Sequence, residues 1–101
     1  MKCSGFDWDR GNRAKCRKHG VSIETIEGLF SKPLAILPDH EHSQNERRFK
    51  AIGRTDKKRT VFIVFTLRQN GDDMLIRPIS ARYMHEQEVE NYEKENPHIQ
   101  E

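Results

Sequence analysis

The sequence predicts an α+β domain: two N-terminal helices, a small antiparallel sheet and a C-terminal helix. Three observations carry this reading. Two capped amphipathic segments open the chain, several strand-length apolar segments separated by turn residues fill its middle, and a Glu-rich helical segment closes it. At 101 residues, residues 1–101 read as one domain, with a core over about residues 6–95 and a short polar tail.

Each element has its own signal. Phe6 and Trp8 flank Asp7 in alternation, which reads as a short edge strand or an extended entry segment. Asp9 can cap a helix over residues 10–19, with Gly20 as its left-handed stop. At about 100° per residue, Trp8, Asn12, Cys16 and His19 share one face and Arg10, Arg13 and Arg17 the opposite one. Lys15 falls on the first side. Ser22 caps a second helix reaching residue 30, with Ile23, Ile26 and Phe30 as its apolar stripe, and Pro33 ends it.

Residues 34–37 form a brief strand between prolines, residues 39–45 a polar loop, and residues 47–52 a strand with Phe49 and Ala51 on one side. After a charged turn, residues 61–67 are apolar on both faces, as in a central strand covered on both sides. Asn70-Gly71-Asp72 signals a hairpin, and residues 74–81 return antiparallel. Pro78 argues for an edge or a bulge there. A third helix spans residues 84–95, with Val89 and Tyr92 as a thin apolar contact and Asn96-Pro97 as its stop.

Composition limits the function classes. The chain is 34% hydrophobic and 34% charged, with mean hydropathy −0.94, so a lean core underlies a heavily charged surface. A domain of this size has no room for an enclosed cofactor cavity, and no cofactor is expected. The net charge of +2 is too mild to demand nucleic acid by itself, so charge placement must decide. The longest apolar run, residues 61–65, is far short of the roughly 18–20 residues of a membrane span. No apolar run follows the first residues as in a signal peptide, so a cytoplasmic protein with reduced thiols is expected. Cys3 and Cys16 lack metal-site spacing, and Cys16 reads as a small buried residue.

Four groups of residues and one lone carboxylate could carry chemistry. The densest is Arg77-Pro78-Ile79-Ser80-Ala81-Arg82-Tyr83. Period two puts Arg77 with Ile79 and Ala81 on one face, and Ser80 with Arg82 on the other. Arginine holds phosphate bidentately and stays charged, so Arg77, Arg82 and Arg54 suit RNA binding and phosphorane stabilisation; ion pairing with surface carboxylates is the alternative. Lys18-His19-Gly20 is the second group: His19 can transfer protons near neutral pH, or simply satisfy carbonyls at a helix end. Asp39, His40 and His42 resemble metal ligands, but no third and fourth ligand has zinc-like spacing, and no metal site is expected. Glu46, opening a strand, is the best-placed carboxylate for a general base, with a salt bridge to Arg47 or Arg48 as its other reading. The Arg10, Arg13 and Arg17 stripe is either a solvated face or a surface for RNA or an acidic partner segment.

These pieces resemble a known family. Phe6-Asp7-Trp8-Asp9, Lys18-His19-Gly20-Val21-Ser22, Phe30 and Pro33-Leu34 look like the amino-terminal signature of BrnT-type toxins. Pro38-Asp39, His42-Ser43, Glu46-Arg47, Gly53-Arg54 and Ile79-Ser80-Ala81-Arg82 continue it in order, over about residues 6–92. Lys15, Tyr83 and Met84 depart from the family's pattern. The resemblance implies a compact fold like the RelE ribonucleases and RNA cleavage that arrests translation. It also implies neutralisation by a ribbon-helix-helix antitoxin whose complex represses its own operator DNA.

The residues then take provisional roles. Arg77, Arg82 and Arg54 would stabilise charge with Lys18 assisting, and His19 or Glu46 would handle protons. Lys15, Ser80 and Tyr83 would touch RNA, and Arg10, Arg13 and Arg17 would meet the antitoxin, in a complex of two toxins with two antitoxins. The leading expectation is a metal-independent endoribonuclease. The others are a catalytically weak module that holds a DNA-binding antitoxin, and a non-catalytic nucleic-acid-binding regulator.

Overall fold

The computed structural model describes residues 3–43 and 45–95, without the His42 side chain. The Asn96-Pro97 helix stop and His98 lie outside the described residues. The elements in order are β1 (Gly5–Phe6), α1 (Arg10–Arg17), α2 (Ile23–Phe30), β2 (Ala35–Pro38), a 3-10 turn (His40–His42), β3 (Arg48–Arg54), β4 (Thr60–Asn70), β5 (Asp73–Tyr83) and α3 (Glu86–Glu95). The architecture is α+β, as the patterning predicts. No helix among the described residues is long and apolar enough to cross a membrane.

The five strands form one sheet in the order β1-β5-β4-β3-β2. From β2 to β5 every pairing is antiparallel, but β1 lies parallel to β5 through Gly5–Leu75 and Phe6–Ile76. The sheet is therefore mixed, a correction to the expectation of an antiparallel one. β1 joins the sheet beside a strand from the far end of the chain, with no hairpin to set its direction.

Local chemistry explains the helix ends. The Asp9 carboxylate accepts from the Asn12 backbone N–H at 2.9 Å, and Asn12 Oδ1 accepts from the Asp9 N–H at 2.7 Å, a reciprocal cap on α1. The helix stops at Arg17, so Lys18 and His19 fall in the turn that follows, closed by Gly20 at φ +83°. Ser22 caps α2 by accepting from the Thr25 N–H at 3.1 Å. α3 begins at Glu86, two residues later than its sequence pattern suggests.

One face of the sheet packs beneath α1 and α2. Cys16, Val21, Ile26 and Leu29 bury themselves against Ala51, Val61, Ile63, Phe65, Ile76 and Ala81. Phe30 meets Phe65 edge-on at 5.1 Å and Phe49 stacks on Phe65 at 5.4 Å between centroids. Burial pushes the Cys16 thiol up to about 11, so it stays a neutral core residue. Gly53 leaves no room for a side chain: a Cβ there would collide with the Leu34 side chain and lie 3.2 Å from Leu29 Cδ2.

β5 contains the irregularity that Pro78 foreshadows. Val64 pairs with Ser80 and Phe65 with Pro78, so Ile79 is an extra residue, a β-bulge. Pro78 lies past the last pair made by β1, where no neighbouring strand needs its missing N–H. Its carbonyl accepts from Asn12 Nδ2 at 2.8 Å, and the same amide donates to the Asp7 carbonyl at 2.9 Å. Asn12 is 5% exposed, so this buried amide ties α1 to the bulge with its polar atoms satisfied.

Candidate active site on the uncovered sheet face

Residues opposite one another in a ladder project to the same face. The face away from α1 and α2 therefore carries three rows across β3, β4 and β5: Arg48–Thr66–Arg77, Lys50–Val64–Ser80 and Ile52–Phe62–Arg82. A fourth row, Arg54–Thr60, continues it on β3 and β4. The bulge makes this possible. Strict period two sets Arg77 opposite to Ser80 and Arg82, but the unpaired Ile79 shifts the phase so that all three share the face. Ile76, Pro78 and Ala81 turn to the core instead. This corrects the expected division of the strand.

Arg54, Arg77 and Arg82, the arginines that the sequence singles out, each have a carboxylate partner. Arg77 is 21% exposed and donates to Asp9 at 2.7 Å, with Asp7 at 3.5 Å. The Asn12 backbone bond and then the Arg77 guanidinium hold the Asp9 carboxyl below its ordinary range. The Asp9 hydrogen bond in turn pushes Arg77 further up, with a smaller contribution from Glu46. Arg82 lies over the Phe62 ring at 5.0 Å and grips Glu88 with both terminal nitrogens, each at 2.9 Å. Glu88 also accepts from the His85 backbone N–H at 2.9 Å. The Arg82 bonds first, and then the His85 bond, hold the Glu88 carboxyl down at about 2. Arg54 reaches Glu93 at 3.5 Å. Glu88 and Glu93 belong to α3, so that helix lies against the Arg82–Arg54 end of the face.

The end-on grip on Glu88 uses one hydrogen on each terminal nitrogen of Arg82. Among the described residues, its Nε–H and one terminal N–H along the side edge have no acceptor, an edge that suits a second bidentate acceptor such as a phosphate. Glu46 accepts from Arg68 at 3.1 and 3.2 Å and acts electrostatically on Arg77. Glu46, Arg68 and Arg77 thus share one end of the face.

The remaining candidates lie elsewhere. Lys15, Lys18 and His19 are exposed on the helix layer, and among the described residues none bonds to the arginine rows. Tyr83 pairs with Val61 and packs toward the core side, beneath the Arg59 guanidinium at 3.7 Å. Arg10, Arg13 and Arg17 are exposed, as their spacing predicts. Arg13 stands 6.0 Å over Trp8, and Arg17 Nε donates to the Arg13 carbonyl at 3.3 Å. Among the described residues no group of three His, Cys, Asp or Glu side chains could hold a metal; the His42 side chain lies outside them.

Three basic residues of the face were not among the predicted site residues: Lys50, Arg68, and Arg48, which the sequence offered only as a salt-bridge partner of Glu46, a place that Arg68 takes. A signal for two of them exists. Arg48, Lys50 and Arg54 sit at even spacing while Phe49, Ala51 and Gly53 fill the alternate positions, the pattern of a strand with one basic face. Arg48 Nε is shielded from solvent and has no hydrogen-bond partner among the described residues, an unsatisfied donor in the Arg77 row.

Preorganised guanidinium groups on a shallow open surface suit a polyanion better than an enclosed small molecule. Among curated proteins none matches the chain. A model of the BrnT family, described as a ribonuclease toxin of type II toxin–antitoxin systems, matches residues 8–88, a span that includes Arg54, Arg77, Ser80 and Arg82. The chain belongs to the BrnT family of ribonuclease toxins.

Proposed function

We propose that the uncovered sheet face binds single-stranded RNA and cleaves it without a metal ion. The observation that carries this is the phase shift at Ile79, which gathers Arg77, Ser80 and Arg82 beside Arg48 and Lys50. Metal-free cleavage moves the 2′-hydroxyl proton to a base as O2′ bonds to phosphorus. The P–O5′ bond then breaks and O5′ takes up a proton, leaving a 2′,3′-cyclic phosphate. Arg77 and Arg82 neutralise the charge growing on the non-bridging oxygens, with Arg54 at the α3 end. Glu46 takes the 2′-hydroxyl proton, since it shares the Arg77 end of the face and His19 stands on the helix layer. Ser80 hydrogen-bonds phosphate, and Lys50 in the same row is the proton donor for O5′. Lys18 and Lys15 contribute long-range attraction for the flanking strand.

In the cell this activity arrests growth in the cytoplasm until a ribbon-helix-helix antitoxin covers the toxin. Two toxins with two antitoxins is the expected stoichiometry, because that DNA-binding fold is itself a dimer, and the complex then sits on its own operator. Arg10, Arg13 and Arg17 steer an acidic antitoxin segment, so association slows with rising salt. Light scattering of the co-expressed pair and association rates across a salt series test this; a toxin that stays monomeric beside the neighbouring gene product refutes it.

A second reading has its own support. Arg54, Arg77 and Arg82 are all ion-paired within the chain, as expected if they brace the fold of an antitoxin-binding module with weak catalysis. Incubating the purified chain with RNA in EDTA decides between them. The leading reading expects cleavage to persist with cyclic-phosphate ends. Activity lost in chelator and restored by a divalent ion overturns metal independence, and no cleavage in either condition favours the binding module.

A further inference from the structure

A groove of about 510 Å³ lies on the opposite side of the sheet end from Arg82, between α2 and the β3–β4 turn. Its volume is that of a small-molecule site. Tyr83 contributes apolar surface above the buried Leu29, and Lys57 and Arg59 form its basic rim. Unlike Arg54, Arg77 and Arg82, neither Lys57 nor Arg59 has a carboxylate partner among the described residues. The groove's Asp56 is already engaged by Lys32.

Two features fit a planar anionic guest. The Arg59 guanidinium sits 3.7 Å from the Tyr83 ring centroid while Arg59 remains exposed, so a second planar group can stack upon it. Gly28 stands on the helical wall, where an added Cβ would meet nothing within 4 Å. Packing does not require a glycine there, and glycine weakens a helix; its absent side chain leaves the groove open. Arg59 also lines the cleft at the foot of α3 that includes Arg54, and Tyr83 directly follows Arg82 along β5. A strand leaving the arginine face thus passes Arg59 on its way round the sheet end.

We propose that this groove is a secondary RNA subsite for one unpaired nucleotide flanking the cleaved bond, its base stacked on Arg59 and its phosphate met by Lys57. Glu24 on the rim disfavours a continuing backbone, which limits the subsite to one nucleotide. The inference rests on the ribonuclease reading of the arginine face.

The test uses 2′-O-methyl oligonucleotides, which cannot be cleaved, lengthened one nucleotide at a time from either end. Affinity of the wild-type chain should rise in one step when the strand first reaches the groove. Base stacking sets that step at roughly 5- to 150-fold, and an abasic nucleotide at that position should remove it. Arg59→Ala and Gly28→Leu should abolish the step and leave the affinity of shorter oligonucleotides unchanged. Gly28→Leu should also raise Tm by several degrees, since leucine is the better helix former, so lost binding would not reflect unfolding. A step that persists in both variants overturns the subsite, as does a uniform loss at every length. Variants that weaken only antitoxin binding assign the groove to that partner and likewise overturn the proposal. Wild-type chain that cleaves short RNA but shows no step refutes the subsite alone; wild-type chain that neither binds nor cleaves short RNA refutes the ribonuclease reading beneath it.

Discussion

On the face beneath α1 and α2, Ala51, Val61, Ile63 and Phe65 are 0% exposed. On the opposite face of the same strands, every row carries a lysine or an arginine, and carboxylates on other segments hold three of those arginines. The two surfaces differ in what a substitution removes. Taking a side chain from the first opens a void; taking one from the second removes a partly exposed charge and leaves the hydrophobic layer filled. The covered face should therefore govern whether the chain folds, and the open face what it does once folded.

The sharpest separation comes from Phe65→Ala. A fully buried ring that touches Phe30 and Phe49 should cost about 3–5 kcal/mol in unfolding free energy by urea titration, while any chain still folded keeps its arginine rows. Arg82→Ala should do the reverse. Loss of one preorganised charge contact slows cleavage by about a hundred- to a thousandfold, yet its exposed ion pair contributes at most about 1 kcal/mol to folding. Wild-type cleavage by a folded Arg82→Ala chain would leave the open face a structural surface only. Arg77→Ala should lose both activity and some stability, since Arg77 also holds the capping residue Asp9.

Smaller effects sharpen the boundary. Asn12→Ala removes the amide that satisfies the Pro78 and Asp7 carbonyls and should cost about 1–3 kcal/mol. Activity should fall further than stability alone explains, because Asn12 holds the segment that sets the arginine phase. Gly53→Ala drives a methyl against Leu34 and Leu29 and should cost about 1–3 kcal/mol with no change in the rate of folded protein.

The smallest effect is on the pH dependence of stability. Glu88 sits at about 2 in the folded chain against an ordinary 4.5, so its contribution is complete above pH 4.5 and is lost as pH falls toward 2. Glu88→Gln should flatten that part of the stability curve and leave the slope above pH 5 unchanged. An unaltered acid limb would mean that the Arg82–Glu88 grip does not persist in solution.

Much of the fold was legible because its signals are local. Asp9, Ser22 and Gly20 mark helix ends by their own chemistry, and the hairpin and the central place of β4 follow from short windows of sequence, although α1 and α2 cover one face of β4 and not both as its apolar pattern suggests. The parallel entry of β1 was not legible, since nothing near Gly5 and Phe6 names β5 as their neighbour. Within the site, arginine chemistry singled out Arg54, Arg77 and Arg82, but counting by twos placed Arg77 on the wrong side. Pro78 hinted at a bulge without saying which residue would be extra. The pairing of Arg77 with Asp9 and of Arg54 with Glu93 joins distant parts of the chain, and composition carries no trace of it.

The bulge at Ile79 also has a genetic meaning. Arg77 and Arg82 lie an odd number of positions apart, so their agreement depends on a single extra residue. An in-frame loss of the Ile79 codon would encode a chain that retains every arginine, serine and carboxylate described above. Restored to strict alternation, its β5 would send either Arg77 or the Ser80–Arg82 segment into the hydrophobic layer. Such an allele would score as intact by residue identity and be silent as a toxin. On the proposed reading of the face, the count of residues between the arginines matters to the activity as much as the arginines themselves.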